Sequence, residues 1–97
     1  MFVLDTSSLL LLSRSKSFFP YSYALTRGVI RELEKKNVKL TVNKHYLLLC
    51  PKGSFKTADQ ELIFLVRRLP FLSVVTEDYF LRKKISGVSV RKFLINR

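Results

Sequence analysis

The stretch Met1-Phe2-Val3-Leu4-Asp5-Thr6-Ser7 decides how the rest of the chain is interpreted. Its short apolar run predicts a buried strand. The acid and hydroxyl residues that follow are typical of a helix start, with Thr6 or Ser7 as the N-cap. A strand, an acid and a helix in this order place a carboxylate at the C-terminal edge of a parallel sheet. Ligands bind open α/β sheets at that edge, so Asp5 is the first candidate site residue.

A second strand of the same kind occurs late in the chain. The apolar segment Leu72–Val75 is followed by the hydroxyl of Thr76 and by two acids, Glu77 and Asp78. Right-handed crossovers place Asp5 and Asp78 at the same sheet edge if their strands are neighbours. We therefore expect these two carboxylates to contribute to one site.

Apolar periodicity and capping residues predict alternating helices and strands along the chain. Thr57 and Gln60 form a capping box in front of one apolar helical stripe. The predicted helices span 6–12, 27–36, 58–69 and 78–85, and the predicted strands span 2–4, 22–25, one or two segments within 38–50, 72–75 and a last strand that begins over 88–90. This alternation predicts one α/β domain over residues 1–97, with a central, mostly parallel sheet and helices on both faces.

The net charge indicates the kind of partner. The 97 residues include 18 Lys and Arg against 7 Asp and Glu, which gives a formal charge of +11. A surface this positive favours a polyanion, most often nucleic acid. The other interpretation is a surface that is merely rich in Lys and Arg, as in ribosomal or thermophilic proteins.

Composition also excludes several classes of site and of location. The single cysteine, Cys50, excludes an internal disulfide and a cysteine-based zinc cluster, and its apolar neighbours predict a small buried residue. No signal peptide and no apolar run of about 18 residues is present, so we expect a cytoplasmic protein with no membrane partner. The chain also has no glycine-rich phosphate loop and no pattern for Ser/His/Asp or Cys/His catalysis.

Two further acids lie on predicted helices. A salt bridge from Glu32 to Lys36 would explain the first without any site, and the helix dipole would explain Asp59 in the first turn of its helix. If these carboxylates clustered with Asp5 and Asp78, they would repel one another unless a hard divalent cation such as Mg²⁺ or Mn²⁺ bound them. Such an ion can activate water for attack on a phosphodiester.

Four stretches of the chain, taken in order, resemble the PIN-domain ribonuclease family. They are Val3-Leu4-Asp5-Thr6-Ser7, Val29-Ile30-Arg31-Glu32-Leu33, Ala58-Asp59 and Val74-Val75-Thr76-Glu77-Asp78. Within the family, the second half of the chain looks most like the PIN nucleases of small-subunit ribosomal RNA processing, of the archaeal type. It is next most similar to the PIN toxins of toxin–antitoxin modules.

The chain departs from these relatives at two places. They often have Asn where this chain has Glu77, and the processing-type relatives often carry two adjacent acids where this chain has Asp59 and Gln60, followed by Glu61. Which of Asp59 and Glu61 reaches a metal therefore stays open, and so does the role of Glu77.

The resemblance implies a small PIN-like three-layer fold and a metal-dependent endoribonuclease that cleaves single-stranded RNA with Mg²⁺ or Mn²⁺. By the same resemblance, the metal ligands and catalytic residues are Asp5, Glu32, Asp59 and Asp78, and the residues that orient ligands or water are Thr6 and Thr76. Basic residues at the cleft rim would hold the RNA strand; these are Arg27, Arg82, Lys83 and Lys84. Pairing into a homodimer, and a ribosome-assembly or antitoxin partner, are further options that the resemblance implies.

Two alternatives from other functional classes stay open. A non-catalytic RNA-binding scaffold on this fold would bind RNA in a salt-dependent manner and cleave nothing. A small basic structural protein would use every acid as a cap or in a salt bridge. Capping explains Asp59 well and Asp5 poorly, because an acid at the end of a buried strand needs a partner.

Overall fold

The computed structural model describes residues 1–15, 23–38 and 46–95. Its strands are β1 (Phe2–Leu4), β2 (Tyr23–Thr26), β3 (Tyr46–Leu49) and β4 (Ser73–Val75). Its helices are α1 (Thr6–Ser15), α2 (Arg27–Lys35), α3 (Ala58–Arg68), α4 (Tyr79–Ile85) and α5 (Val90–Ile95). Residues 39–45 of the predicted strand region lie outside the described residues.

The strands form one sheet in the order β3-β2-β1-β4. Val3 pairs with Ala24 of β2, and Leu4 pairs with Val75 of β4. Every strand pair in the described ranges is parallel, so the predicted α/β class with a mostly parallel sheet is confirmed. Because β1 and β4 end side by side, the residues that follow Leu4 and Val75 share one edge of the sheet.

The helices cover the sheet as connections between its parallel strands. The chain moves from β1 to β3 toward one edge, and α3 then returns it to β4 at the other edge. Because crossovers between parallel strands are right-handed as a rule, this strand order is compatible with a three-layer fold that has helices on both faces of the sheet. Leu9 of α1, Leu62 of α3 and Phe93 of α5 are fully buried in the core. Among the described residues, no helix is both long enough and apolar enough to cross a membrane.

The predicted last strand over 88–90 is wrong. Val88 makes only an isolated parallel bridge to Val75, and Val90 begins α5. Two acceptors start this helix: Glu77 Oε1 accepts a hydrogen bond from Val90 N at 2.7 Å, and Ser89 Oγ accepts one from Lys92 N at 3.2 Å. The alternation of valines resembled a strand, but satisfied helix N-terminal N–H groups favour a helix.

The other helix boundaries follow their capping residues. Thr57 Oγ1 accepts from Gln60 N at 3.2 Å and is the N-cap of α3, as predicted. The Gln60 side chain accepts from Lys56 N rather than from Thr57 N. Asn37 has a φ of 53°, in the left-handed region, and a residue in this conformation ends α2.

The sheet edge formed by β3 is more exposed than the prediction for Cys50 implied. β3 is an edge strand, and Tyr46, Leu47 and Leu48 are all exposed. Cys50, which follows this strand, is exposed rather than buried. The apolar run that precedes the cysteine indicated a core strand, whereas its position at the sheet edge leaves it open to solvent.

Candidate active site

The four acids predicted to share a site line one cavity of about 270 Å³ at the C-terminal edge of the sheet. We call it the carboxylate cavity; its polar lining includes Asp5, Glu32, Asp59, Asp78, Thr6 and Lys36. Each acid comes from a different part of the fold: the end of β1, the middle of α2, the first turn of α3 and the start of α4. The fold thus brings together residues that are far apart in the sequence, such as Asp5 and Asp78, which are 73 positions apart.

Asp5 is buried, and both of its carboxylate oxygens accept hydrogen bonds within the protein. Its Oδ1 accepts from Ser8 N at 2.9 Å and from Ser8 Oγ at 2.8 Å, and Ser7 Oγ donates to it at 2.9 Å. Oδ2 accepts a hydrogen bond from Thr76 Oγ1. Asp5 is therefore the N-cap of α1, in place of the predicted Thr6 or Ser7. The expectation that capping explains Asp5 poorly is also wrong.

The two threonines of the predicted site have different surroundings. Thr76 is fully buried, and its Oγ1 donates to Asp5 and accepts from Asp78 N at 3.0 Å. This hydroxyl therefore links the loops that carry two of the acids. Thr6 lines the cavity and is 8% exposed, and its buried Oγ1 has no hydrogen-bond partner among the described residues.

Asp78 has a structural role on one side of its carboxylate only. Its Oδ1 accepts from Phe80 N at 3.0 Å and from Leu81 N at 3.2 Å, so Asp78 is the N-cap of α4. Its Oδ2 accepts no hydrogen bond from the described part of the chain. One carboxylate oxygen can therefore bind a ligand while the other keeps the helix capped.

Glu32 and Asp59 differ from the other two acids because no described residue donates a hydrogen bond to either carboxylate. Partial burial raises the pKa of the Asp59 carboxyl above its ordinary value. The carboxylates of Asp5, Asp78 and Glu32 raise this pKa further. The ammonium group of Lys84 acts in the opposite direction. The other carboxylates therefore place more negative charge around Asp59 than Lys84 offsets.

The donor set of the cavity fits a hard divalent cation, because all of its acidic ligands are carboxylate oxygens. In the described ranges, no group of three or more His, Cys, Asp or Glu side chains already stands in a metal-binding arrangement. Binding would require side-chain rotation, and no hydrogen bond from the described residues holds the carboxylates of Glu32 and Asp59 in place. The unpaired hydroxyl of Thr6 adds a further polar atom beside the acids.

The two acids whose roles stayed open have structural partners elsewhere. Glu61 is buried, and its Oε1 accepts from Gly28 N at 3.0 Å, which joins α3 to the start of α2. A Cβ on Gly28 would lie 2.9 Å from that oxygen and 3.2 Å from Ala58 Cα, so a larger residue would have to displace the Glu61 carboxylate and push against the backbone of α3. Glu77 accepts from Val90 N. Asp59, and not Glu61, therefore faces the carboxylate cavity.

The predicted RNA-binding residues are placed unevenly. Arg27 lines a groove that adjoins the carboxylate cavity, and Lys84 lines a second neighbouring cavity that shares Asp59 and Asp78 with it. Arg82 and Lys83 line neither of these cavities. The Lys83 ammonium instead lies 5.5 Å from the centre of the Tyr79 ring.

Sequence reasoning missed three cations of the adjoining groove: Arg31, Lys35 and Lys56. A signal for two of them was present, because Arg27, Arg31 and Lys35 recur every fourth residue. That spacing places them along one side of α2. Lys56 precedes the cap of α3, and only the fold brings it to the same groove.

Comparison with known proteins adds no relative: no family model and no curated protein matches the chain. The PIN resemblance therefore stays a prediction.

Proposed function

We propose that this protein is a metal-dependent endoribonuclease that hydrolyses phosphodiester bonds in single-stranded RNA. The observation that supports this most is the convergence of four carboxylates from four elements on one cavity, in a chain with a net charge of +11. A basic protein attracts RNA, and a cluster of acids in such a protein would weaken that attraction unless it had a separate use. Binding of a cation that acts on phosphate is such a use.

Mg²⁺ or Mn²⁺ would be held by Asp5, Glu32, Asp59 and Asp78. When bound, such an ion supplies an activated water and neutralises charge on the phosphate oxygens. The protein's own part is to position the ligands. Thr76 fixes the Asp5 carboxylate through a hydrogen bond and fixes the Asp78 backbone through another, as outer residues of metal sites do.

The remaining residues of the site would handle the RNA rather than the ion. Lys84 lines the neighbouring cavity that shares Asp59 and Asp78 with the carboxylate cavity, so its ammonium group would contact RNA phosphates on that side. Arg27 lies in a different neighbouring space, the groove that shares Glu32 with the cavity. Cations thus flank the carboxylates and would hold the two strand segments beside the scissile bond.

Processing of small-subunit ribosomal RNA in the cytoplasm is the role we propose for this activity, because the second half of the chain most resembles nucleases of that process. A toxin of a toxin–antitoxin module is the alternative within the same chemistry. A ribosome-assembly factor or an antitoxin would be the corresponding protein partner.

One structural observation favours a second candidate, a non-catalytic RNA-binding scaffold. Asp5 and Asp78 both cap helices, so the fold uses them whether or not a metal binds. Glu32 and Asp59 have no such role among the described contacts. An experiment on these two acids therefore separates the two candidates better than one on Asp5.

The test is cleavage of a fluorescent single-stranded RNA by the purified protein with Mg²⁺ or Mn²⁺, and with EDTA. Glu32→Gln and Glu34→Gln form a matched pair, because both lie on α2 and only Glu32 lines the cavity. We expect metal-dependent product from the wild type and from Glu34→Gln. Loss of an outer residue of a metal site costs about 10- to 100-fold, so loss of a ligand in Glu32→Gln should cost about 100-fold or more.

Two results would reject the nuclease proposal. One is RNA binding with no metal-dependent product, which is the behaviour of the scaffold. The other is cleavage by Glu32→Gln at the rate of Glu34→Gln, which would show that the product does not come from the carboxylate cavity.

A further inference from the structure

A groove of about 530 Å³ adjoins the carboxylate cavity. It lies between α2 and the segment that precedes α3, and we call it the α2 groove. Glu32, Thr57 and Ala58 line both the groove and the cavity. Because the two spaces share these walls, they are direct neighbours, and a chain molecule bound at the carboxylates can extend toward the groove.

The charges on the α2 groove favour an anion. Arg27, Arg31 and Lys35 line it from α2, and Lys56 lines it from the other side. All four side chains are exposed, so their charged groups are available to a ligand. Two carboxylates also line the groove, but Glu61 is buried and bonded to Gly28 N.

The second carboxylate, that of Glu32, belongs to the wall shared with the carboxylate cavity. The outer part of the α2 groove is therefore cationic, and its inner end is acidic. A phosphodiester chain suits such a gradient: its backbone can lie against the cations while one phosphate reaches the acids through a bound cation.

An aromatic side chain lines the same groove. Phe55 is half-buried, and its ring lies 5.2 Å from the Phe64 ring, which the Arg68 guanidinium covers at 4.8 Å. The preceding turn depends on Gly53, whose φ of 129° is accessible to glycine. Phe55 is thus a supported ring beside a row of cations, which is the combination that binds single-stranded nucleic acid by stacking and phosphate contacts.

We propose that the α2 groove holds the segment of single-stranded RNA next to the cleaved phosphate, with the backbone against Arg31, Lys35 and Lys56 and a base against Phe55. The position of this segment relative to the cleaved bond rests on the proposed function. The groove, rather than Arg82 and Lys83 of α4, is then the main strand-holding surface.

The test is fluorescence anisotropy of a labelled oligouridine, in EDTA so that no cleavage interferes. The groove variant is Arg31→Ala with Lys35→Ala. Its control is Arg91→Ala with Lys92→Ala, which removes the same charge from exposed positions on α5. We expect the groove variant to bind about tenfold more weakly or worse, and the slope of log affinity against log salt to fall by about 1.4, or 0.7 for each lost phosphate contact on a single strand.

A second variant tests the stacking contact separately. Phe55→Leu keeps an apolar side chain against Phe64 and removes the flat ring. We expect about fivefold weaker binding or more, because stacking of one base on an aromatic residue is worth about 1–3 kcal/mol. Thermal unfolding of the same samples shows whether Phe55→Leu and the wild type are equally folded.

The outcomes distinguish this inference from the proposed function. Equal effects of the groove variant and its α5 control, or no oligouridine binding by the wild type, would overturn the inference even if the protein cleaves RNA. Selective weakening by the groove variant supports RNA binding in the α2 groove, including in a protein that never cleaves; in that case the nuclease proposal fails, and with it only the position of the segment relative to a cleaved bond.

Discussion

Replacing Asp5 with alanine removes the carboxylate that joins α1 to the end of β4, and the structure allows the loss to be worked out. The Ser8 N–H loses its cap, which costs about 1–2 kcal/mol. The buried Thr76 hydroxyl loses its acceptor, which costs about 1–3 kcal/mol. Ser8 Oγ keeps a second acceptor in the Val75 carbonyl, so it adds little. The free energy of unfolding should therefore fall by about 2–5 kcal/mol.

Asparagine is the matched variant at this position. It keeps an oxygen for the Ser8 N–H and loses only the acceptor of the Thr76 hydroxyl, so Asp5→Asn should cost about 1–3 kcal/mol. Urea denaturation followed by circular dichroism in EDTA measures both variants. Each kcal/mol should also appear as about 4–8 °C in Tm for a chain of this size. Equal stability of Asp5→Ala and Asp5→Asn would refute the capping argument.

The same asparagine variant separates folding from chemistry. Under the proposed function, Asp5→Asn should lose metal-dependent cleavage, because a neutral amide is a weaker ligand for Mg²⁺ than a carboxylate. RNA binding should stay the same or become tighter, because one negative charge is removed. Wild-type cleavage by a folded Asp5→Asn protein would contradict a role for this carboxylate in the reaction.

Two further substitutions test the surroundings of the site. In metal-free protein, Asp59→Asn should raise the free energy of unfolding at pH 7. The pKa of Asp59 is raised in the folded protein, so the wild type has its full stability below the ordinary pKa of 3.8 and loses part of it as the pH rises through the folded-state pKa and the carboxyl ionises. Asparagine does not ionise and avoids this loss. Urea denaturation at several pH values should show this gain disappear in acid, and a gain that persists there would contradict the charge-repulsion argument. Gly28→Ala should destabilise the protein by about 1–3 kcal/mol, because the added methyl group is forced against Glu61 and Ala58. An unchanged Tm would show that α2 and α3 can move apart at no cost.

The fold could be predicted from local signals wherever these agreed with tertiary contacts. Leu4 and Val75 end buried strands that the apolar runs indicated, and Thr57 starts α3 as its capping box indicated. The valines at 88 and 90 also gave a local signal, but Glu77 supplied an acceptor from 13 residues away and favoured a helix. Periodicity within a segment contains no information about such a partner.

The candidate site also has some features that the sequence predicted and others that depend on contacts between distant residues. Resemblance and element order predicted that the four acids would share one site. They did not predict the hydrogen bonds that each acid makes. Asp5 is itself a favourable capping residue, so its N-cap role was accessible from the sequence. The contact between Glu61 and Gly28 was not, because it depends on how closely α2 approaches α3.

Asp5 and Asp78 are helix caps as well as proposed metal ligands, and this affects how related sequences should be compared. Selection for a stable fold alone would retain both residues after a lineage had lost its activity. Glu32 and Asp59 carry no such structural constraint among the described contacts, so mutational drift would reach them first. Under the proposed function, the joint presence of Glu32 and Asp59 among homologues would therefore mark the active members, whereas Asp5 and Asp78 would mark only the fold.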